Sequence, residues 1–236
     1  MRSMTAEVGS GAAGPLVVVG AGPGIGAAIA RRFAVAGYAV GLVARDAGRL
    51  DDVAAGVRAA GRGVVATATA DATDPDALRA ALDALAAELG EPAALCFSPL
   101  PDVGLIRPVL DSDAEELLDS LRLGVGGPAT AVRRVLPAML ARGAGSLLFT
   151  TGSGALRPDP ARAASTVTTA ATTTYVGLLR SALDGSGVRV GHTVVVGPVA
   201  RGRADAHEPD DVAADLWRHH TGEAAASPTV LRLPDA

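Results

Sequence analysis

The chain predicts a single α/β domain, a doubly wound, seven-stranded parallel sheet flanked by helices, and three observations carry that expectation. Apolar runs of strand length recur near 16–20, 38–44, 63–70, 93–98, 145–150, 188–196 and 229–233; continuous runs, as opposed to alternating ones, mark strands buried on both faces. Six stretches of helix length separate them, the alternation that builds βαβ units. At 236 residues, 49% of them hydrophobic, the chain can bury one sizeable core but not two comfortable ones.

Taken in order, residues 1–14 are rich in Gly, Ala and Ser without periodicity and read as a flexible leader ahead of a single domain over 15–236. The third strand is followed by Asp74-Pro75, a cap and a first-turn proline, and the fourth helix opens on Asp111-Ser112-Asp113 with Glu115-Glu116 behind it. Pro128 with Gly124, Gly126 and Gly127 should weaken or kink that helix. The fifth helix carries a small-residue stretch from Ala161 to Thr174, and the last carries His219 and His220 without a metal-ligand spacing.

Composition bounds the function. A net charge of -4 argues against nucleic acid as the main partner. No apolar run reaches the roughly 20 residues of a membrane helix, and the start lacks the charged-then-apolar order of a secretory signal, so a soluble, cytoplasmic protein with no membrane partner is expected. A single cysteine, Cys96, excludes an intrachain disulfide and a Cys-rich metal cluster. All 21 basic residues are arginine; there is no lysine.

Directly after the first strand comes Gly20-Ala21-Gly22-Pro23-Gly24-Ile25-Gly26. Ile25 in the sixth place breaks the G-x-G-x-x-G pattern, but a G-x-x-x-G-x-G spacing remains. Glycines there let the turn take positive φ and let backbone N–H groups approach a pyrophosphate at a helix N-terminus, where the dipole favours anions. The second strand ends on Ala44-Arg45 and the third on Asp71-Ala72-Thr73-Asp74. An acid at position 45 would repel a ribose 2′-phosphate, whereas a guanidinium pairs with one, so NADP(H) is favoured over NAD(H) as cofactor.

These three motifs, in order and at matching spacing, resemble the short-chain dehydrogenase/reductase family over residues 15–233, which implies a Rossmann-type fold. The resemblance implies that Gly20, Gly22, Gly24, Ile25 and Gly26 line the phosphates. It gives Asp71 and Ala72 to the adenine, counts Ser98 among the cofactor-binding residues, and brings the backbone at Pro198 to the nicotinamide amide. The family's reaction uses a tyrosine acidified by a lysine four residues later, a serine on the carbonyl oxygen and an asparagine behind the lysine. Here the asparagine position falls on Gly124 and the serine on Gly152 or Ser153. The Tyr and Lys positions fall on Thr168 and Thr172, or on Ser165 and Thr169 if the preceding loop is shorter. The turn after strand four, usually Asn-Asn-Ala-Gly, reads Phe97-Ser98-Pro99-Leu100-Pro101. The resemblance is to a divergent branch lacking the catalytic residues.

Loss of a general acid costs about 10²–10⁴ in rate, enough to cripple ordinary ketone reduction. Three readings follow. The first is an atypical NADP(H)-dependent oxidoreductase acting on a small molecule of biosynthesis, with Ser153, Thr168 and Thr172 as candidate catalytic residues. The second is a non-redox catalyst (cyclase, isomerase or dehydratase) that reuses the cavity with no bound cofactor. The third is an NADP-binding pseudoenzyme or scaffold. Helices four and five are the expected face of a homodimer or homotetramer.

Overall fold

The computed structural model describes residues 14–224 and 227–233; the leader expected over 1–14 lies, save for Gly14, outside them. All seven expected strands are present: β1 (Leu16–Val19), β2 (Val40–Ala44), β3 (Val65–Thr69), β4 (Ala94–Phe97), β5 (Gly145–Gly152), β6 (Val188–Val196) and β7 (Thr229–Arg232). They form one parallel sheet in the order β3-β2-β1-β4-β5-β6-β7. The chain winds outward from β1 to β3, returns to pair β4 with β1, and winds outward again to β7. The reversal leaves a crevice at the carboxyl ends of β1 and β4, where doubly wound sheets bind ligands.

The helices are α1 (Ile25–Val35), α2 (Ala47–Ala60), α3 (Pro75–Leu89), α4 (Ala114–Leu121), α5 (Gly127–Arg142), α6 (Ala163–Ala182) and α7 (Pro209–Thr221). Seven stand where six were expected, because the fourth is divided. A π-helical turn over Arg122–Gly126 joins α4 to α5, and the Gly127 N–H reaches back to the Arg122 carbonyl. Gly124, Gly126 and Pro128 mark the weak point, yet Leu121, Gly126 and Gly127 all keep right-handed helical dihedrals. The helix therefore bulges without breaking. The starts anticipated from sequence hold: Asp74 accepts from the N–H groups of Asp76 and Ala77, and Asp113 forms a reciprocal capping box with Glu116.

Helices α1, α2 and α7 cover one face of the sheet and α3, α5 and α6 the other. On the first face the aromatic residues gather. Phe33 is fully buried with ring centroids of Tyr38, Trp217 and His220 at 5.0, 4.9 and 4.7 Å, and Arg32 stacks over Trp217 at 5.0 Å. His220 is satisfied at both nitrogens, by the Tyr38 hydroxyl at 3.0 Å and the Ser146 hydroxyl at 2.9 Å. Behind it Asp215, almost fully buried, accepts from Thr193 and from Arg218. These bonds dock α7 onto β5 and β6. Among the described residues no helix is long and apolar enough to cross a membrane.

Burial, together with the nearby cation Arg189, pushes the His220 pKa down to about 4; burial, reinforced by Arg180 and His219, does the same to His192. Both imidazoles are neutral in the folded chain, while their ordinary value is 6.5. Below that value the unfolded chain takes up protons that the folded one refuses. The stabilising contribution is therefore complete above 6.5 and is lost as pH falls toward 4, by up to about 3 kcal/mol per histidine. Urea midpoints measured across this window should fall with pH, and His220→Gln should flatten part of the fall; a midpoint indifferent to pH would contradict the account.

Candidate active site

The glycine loop is built from the end of β1. The N–H groups of Gly20 and Ala21 both donate to the Val43 carbonyl of β2, at 2.9 and 3.0 Å, and Gly22 turns back onto the Gly20 carbonyl at 2.8 Å. Gly20 has φ +89°, and a Cβ there would overlap the backbone of Pro99, so only glycine serves. At Gly26 a Cβ would sit 2.5 Å from the Gly20 carbonyl oxygen; its absence lets α1 start hard against the strand. At Gly22 and Gly24 an added Cβ would meet nothing within 4 Å. These two glycines face open space.

Helix α1 begins over that space without a side-chain cap and with no acid in its first turn. By contrast, α2, α3 and α4 each start on an aspartate that accepts from their own first-turn N–H groups. Uncapped N–H groups, the positive end of a helix dipole and room above two bare glycines together fit a pyrophosphate. The other residues expected at a cofactor lie along the same edge. Arg45, at the end of β2, stands 3.9 Å from Asp71 after β3; the arginine is largely open to solvent and the aspartate partly buried. Asp71 holds its turn by accepting from the backbone and the hydroxyl of Thr73, both at 2.8 Å. Ala72 is buried, and its carbonyl would be 2.8 Å from a Cβ at Gly127.

Across the reversal in strand order, the Ser98 N–H donates to the Val19 carbonyl, and its hydroxyl meets that of Thr150 on β5 at 2.6 Å. Beyond β5 and β6 a cavity of about 720 Å³ opens, lined among others by Ser153, Arg157, Asp159, Arg162, Ser165 and Pro198. Gly197 turns the chain with φ +117°. The described residues show no hydrogen bond for the hydroxyl of Ser153 or of Ser165, so both are available at the cavity wall.

Thr168 and Thr172 are placed differently. The Thr168 hydroxyl meets Ser120 of α4 at 2.7 Å, and the Thr172 hydroxyl donates to the Gly124 carbonyl at 2.7 Å and to the Thr168 carbonyl at 2.8 Å. Any Cβ at Gly124 would run into the Thr168 methyl. The two threonines therefore close a seam between α6 and the π turn and are not among the residues lining the cavity. Of the two registers open to sequence reasoning, the one that gave Ser165 supplies the wall residue. Arg157 was not singled out by sequence reasoning; the run Arg157-Pro158-Asp159-Pro160-Ala161-Arg162 was the signal that could have found it.

The tyrosines lie elsewhere. Tyr175 packs among the α3, α5 and α6 core and Tyr38 among the α1 and α7 aromatics, and burial raises both phenols above their usual pKa. His192 is a satisfied strand histidine, bonded to Thr151 at 2.9 Å. His207 is buried against the Val196 carbonyl at 3.0 Å. Among the described residues no group of three or more His, Cys, Asp or Glu could hold a metal ion. Cys96 is fully buried in β4, which pushes its thiol up to about 12.

A doubly wound parallel sheet with an uncapped, glycine-lined helix start at its switch point defines a Rossmann-type domain. Residues 15–210 match the family model described as short chain dehydrogenase, and the chain belongs to that family. It is 32% identical over 177 residues to a 1-deoxy-11-beta-hydroxypentalenate dehydrogenase of Streptomyces exfoliatus, covering 74% of this chain and 63% of the relative. Against two other curated dehydrogenases the match spans 55% and 49% of their length. Among solved structures it resembles a metagenomic short-chain oxidoreductase in complex with NADP, with TM-score 0.77 and 26% identity over 94% of this chain and 96% of that one. It also shares the fold of an NADPH-bound short chain oxidoreductase from Pseudomonas aeruginosa PAO1 containing an atypical catalytic center, with TM-score 0.81 and 20% identity over 92% and 93% of the two chains.

The two kinds of glycine separate by experiment. Gly26→Val should cost on the order of 3 kcal/mol of stability, because the branched side chain meets backbone. Gly22→Val should melt close to the parent while losing dinucleotide binding; equal melting of the two variants would refute the division.

Proposed function

We propose that the chain is an NADP(H)-dependent oxidoreductase that works without a tyrosine–lysine acid, on a small acceptor that needs little or no protonation by the protein. The observation that supports it most is the pairing of a well-formed glycine loop with a cavity whose lining holds no tyrosine, lysine or histidine, only the hydroxyls of Ser153, Ser165 and Thr166 and the single carboxylate of Asp159. Bound NADPH would supply a hydride to the acceptor. The chain's own part is then to hold the cofactor, orient the acceptor and exclude water. Backbone N–H groups at Gly24, Ile25 and Gly26 take the pyrophosphate, Arg45 the 2′-phosphate, Asp71 and Ala72 the adenine, and the Gly197-Pro198 backbone the nicotinamide amide.

Chemistry limits the acceptor. A neutral ketone needs a proton on oxygen as the hydride arrives, and a serine or threonine hydroxyl is a poor donor. An iminium already carries the charge and takes the hydride with no proton; an activated C=C needs one only at carbon, which a water or Ser153 can relay. Thr168 and Thr172 serve in this reading as structural residues that fill the space behind the site. The reaction belongs to small-molecule biosynthesis.

The test is calorimetric titration of cofactor-stripped protein with NADPH and with NADH, followed by NADPH oxidation with iminium, enone and simple ketone acceptors. NADPH should bind more tightly. Arg45→Ala should weaken NADPH by roughly tenfold while leaving NADH unchanged, as removal of a charge-assisted contact predicts. Absence of NADPH oxidation with every activated acceptor overturns the redox reading, and turnover that survives cofactor removal puts the non-redox reading in its place.

Assembly is part of the same proposal. Leu118 on α4 and Val167 and Leu178 on α6 expose 52, 43 and 65% of their surface, apolar area that a second copy would cover in a homodimer or homotetramer. Sedimentation at micromolar concentration should give a dimer or larger, and a monomer would count against it.

A further inference from the structure

We propose that the cavity beyond β5 and β6 takes a ligand with an oxyanion head group, a carboxylate or a phosphate, held by Arg157 and Arg162. This rests on reading that cavity as the substrate site, whatever the reaction performed there. The argument begins with the way this chain uses arginine. Among the described residues half of its guanidiniums are ion-paired: Arg31 and Arg201 share Asp210, Arg134 bridges Asp83 and Glu91, Arg107 meets Glu116, and Arg218 meets the buried Asp215. Arg157 and Arg162 have neither an ion pair nor a side-chain hydrogen bond among the described residues, and both line the same cavity.

The one carboxylate on that wall does not neutralise them. Asp159 accepts from the Ala161 N–H at 2.9 Å, capping the short turn Pro160–Arg162, and reaches neither guanidinium. The wall is thus locally cationic in a chain whose net charge is -4. Its backbone is also constrained. The Arg157 N–H donates to the Ser153 carbonyl at 2.9 Å and the Arg162 N–H to the Asp159 carbonyl at 3.0 Å, while Pro158 and Pro160 fix φ between them. Two arginines held on a stiffened loop suit the forked recognition of a carboxylate or phosphate. Val195 and Pro198, which also line the cavity, are uncharged. The anionic end of the ligand meets the two guanidiniums and its remainder the uncharged lining.

The experiment uses three unreactive probes of one size class, benzoate, phenyl phosphate and benzamide, whose binding to the cofactor-stripped full chain is followed by saturation-transfer NMR and calorimetry. One or both anions should bind, benzamide should not, and added salt should weaken the anions. Arg157→Gln with Arg162→Gln should weaken the better anion by roughly tenfold or more with the melting temperature unchanged, since both side chains are exposed. The preferred anion tells a carboxylate ligand from a phosphate one. Binding of neither anion, equal binding of benzamide, or anion affinity unaltered by the double substitution overturns the proposal. The readout needs no turnover. A failed NADPH titration would therefore remove the redox reading and leave this one standing, and a failed probe titration would do the reverse.

Discussion

The close approach of α1 to the end of β1 is the constraint on which the rest of the molecule depends. Only a residue without a side chain can occupy Gly26, 2.5 Å from the Gly20 carbonyl by the position of a missing Cβ, and only a residue at ease with positive φ can occupy Gly20 beneath Pro99. With both satisfied, the turn hangs from the Val43 carbonyl of β2, and the first N–H groups of α1 point into the crevice where the strand order reverses. Phe33, two turns along the same helix, then anchors the aromatic cluster that docks α7. One short contact thus sets the binding edge of the sheet and the packing of the opposite end.

A second close approach shapes the reacting end. At Gly124 the π turn passes α6 so tightly that the Thr168 methyl fills the place of a side chain, while Thr172 donates to the Gly124 carbonyl. A long cationic side chain has no room in such a seam, and the chain contains no lysine to put there. The cavity wall is rich in hydrogen-bonding groups, with Asp159 its one carboxylate, and holds neither a tyrosine nor a lysine.

Electrostatic work is divided between the two ends of the sheet. At the α7 end, buried polar groups are matched in pairs: His220 with Tyr38 and Ser146, Thr193 and Arg218 with Asp215, His219 with Thr229. Each matched set removes the penalty of an unsatisfied buried group and fixes one way for α7 to lie. Around the carboxyl edge, by contrast, Gly22, Gly24, Ser153, Ser165, Arg157 and Arg162 are left uncommitted. Groups satisfied from within hold the fold; groups left open are free to meet a ligand.

The sequence by itself determined whatever depends on neighbours along the chain. Apolar runs placed all seven strands to within a few residues, Asp74 and Asp113 marked their helix starts because a cap acts within one turn, and the glycine spacing marked the loop because φ and side-chain size are properties of single residues. The weak point of the fourth helix was legible too, from Pro128 and its three preceding glycines, but not that the backbone would stay helical as a π turn, since that depends on α6 packing across it. Which hydroxyls face the cavity was decided only by tertiary structure. The rotation of α6 about its axis is set by contacts of Gly124 with Thr168 and of Gly154 with Thr169, between residues distant in sequence. That rotation turns Ser165 to the cavity and Thr168 and Thr172 to the seam, and no local pattern records it.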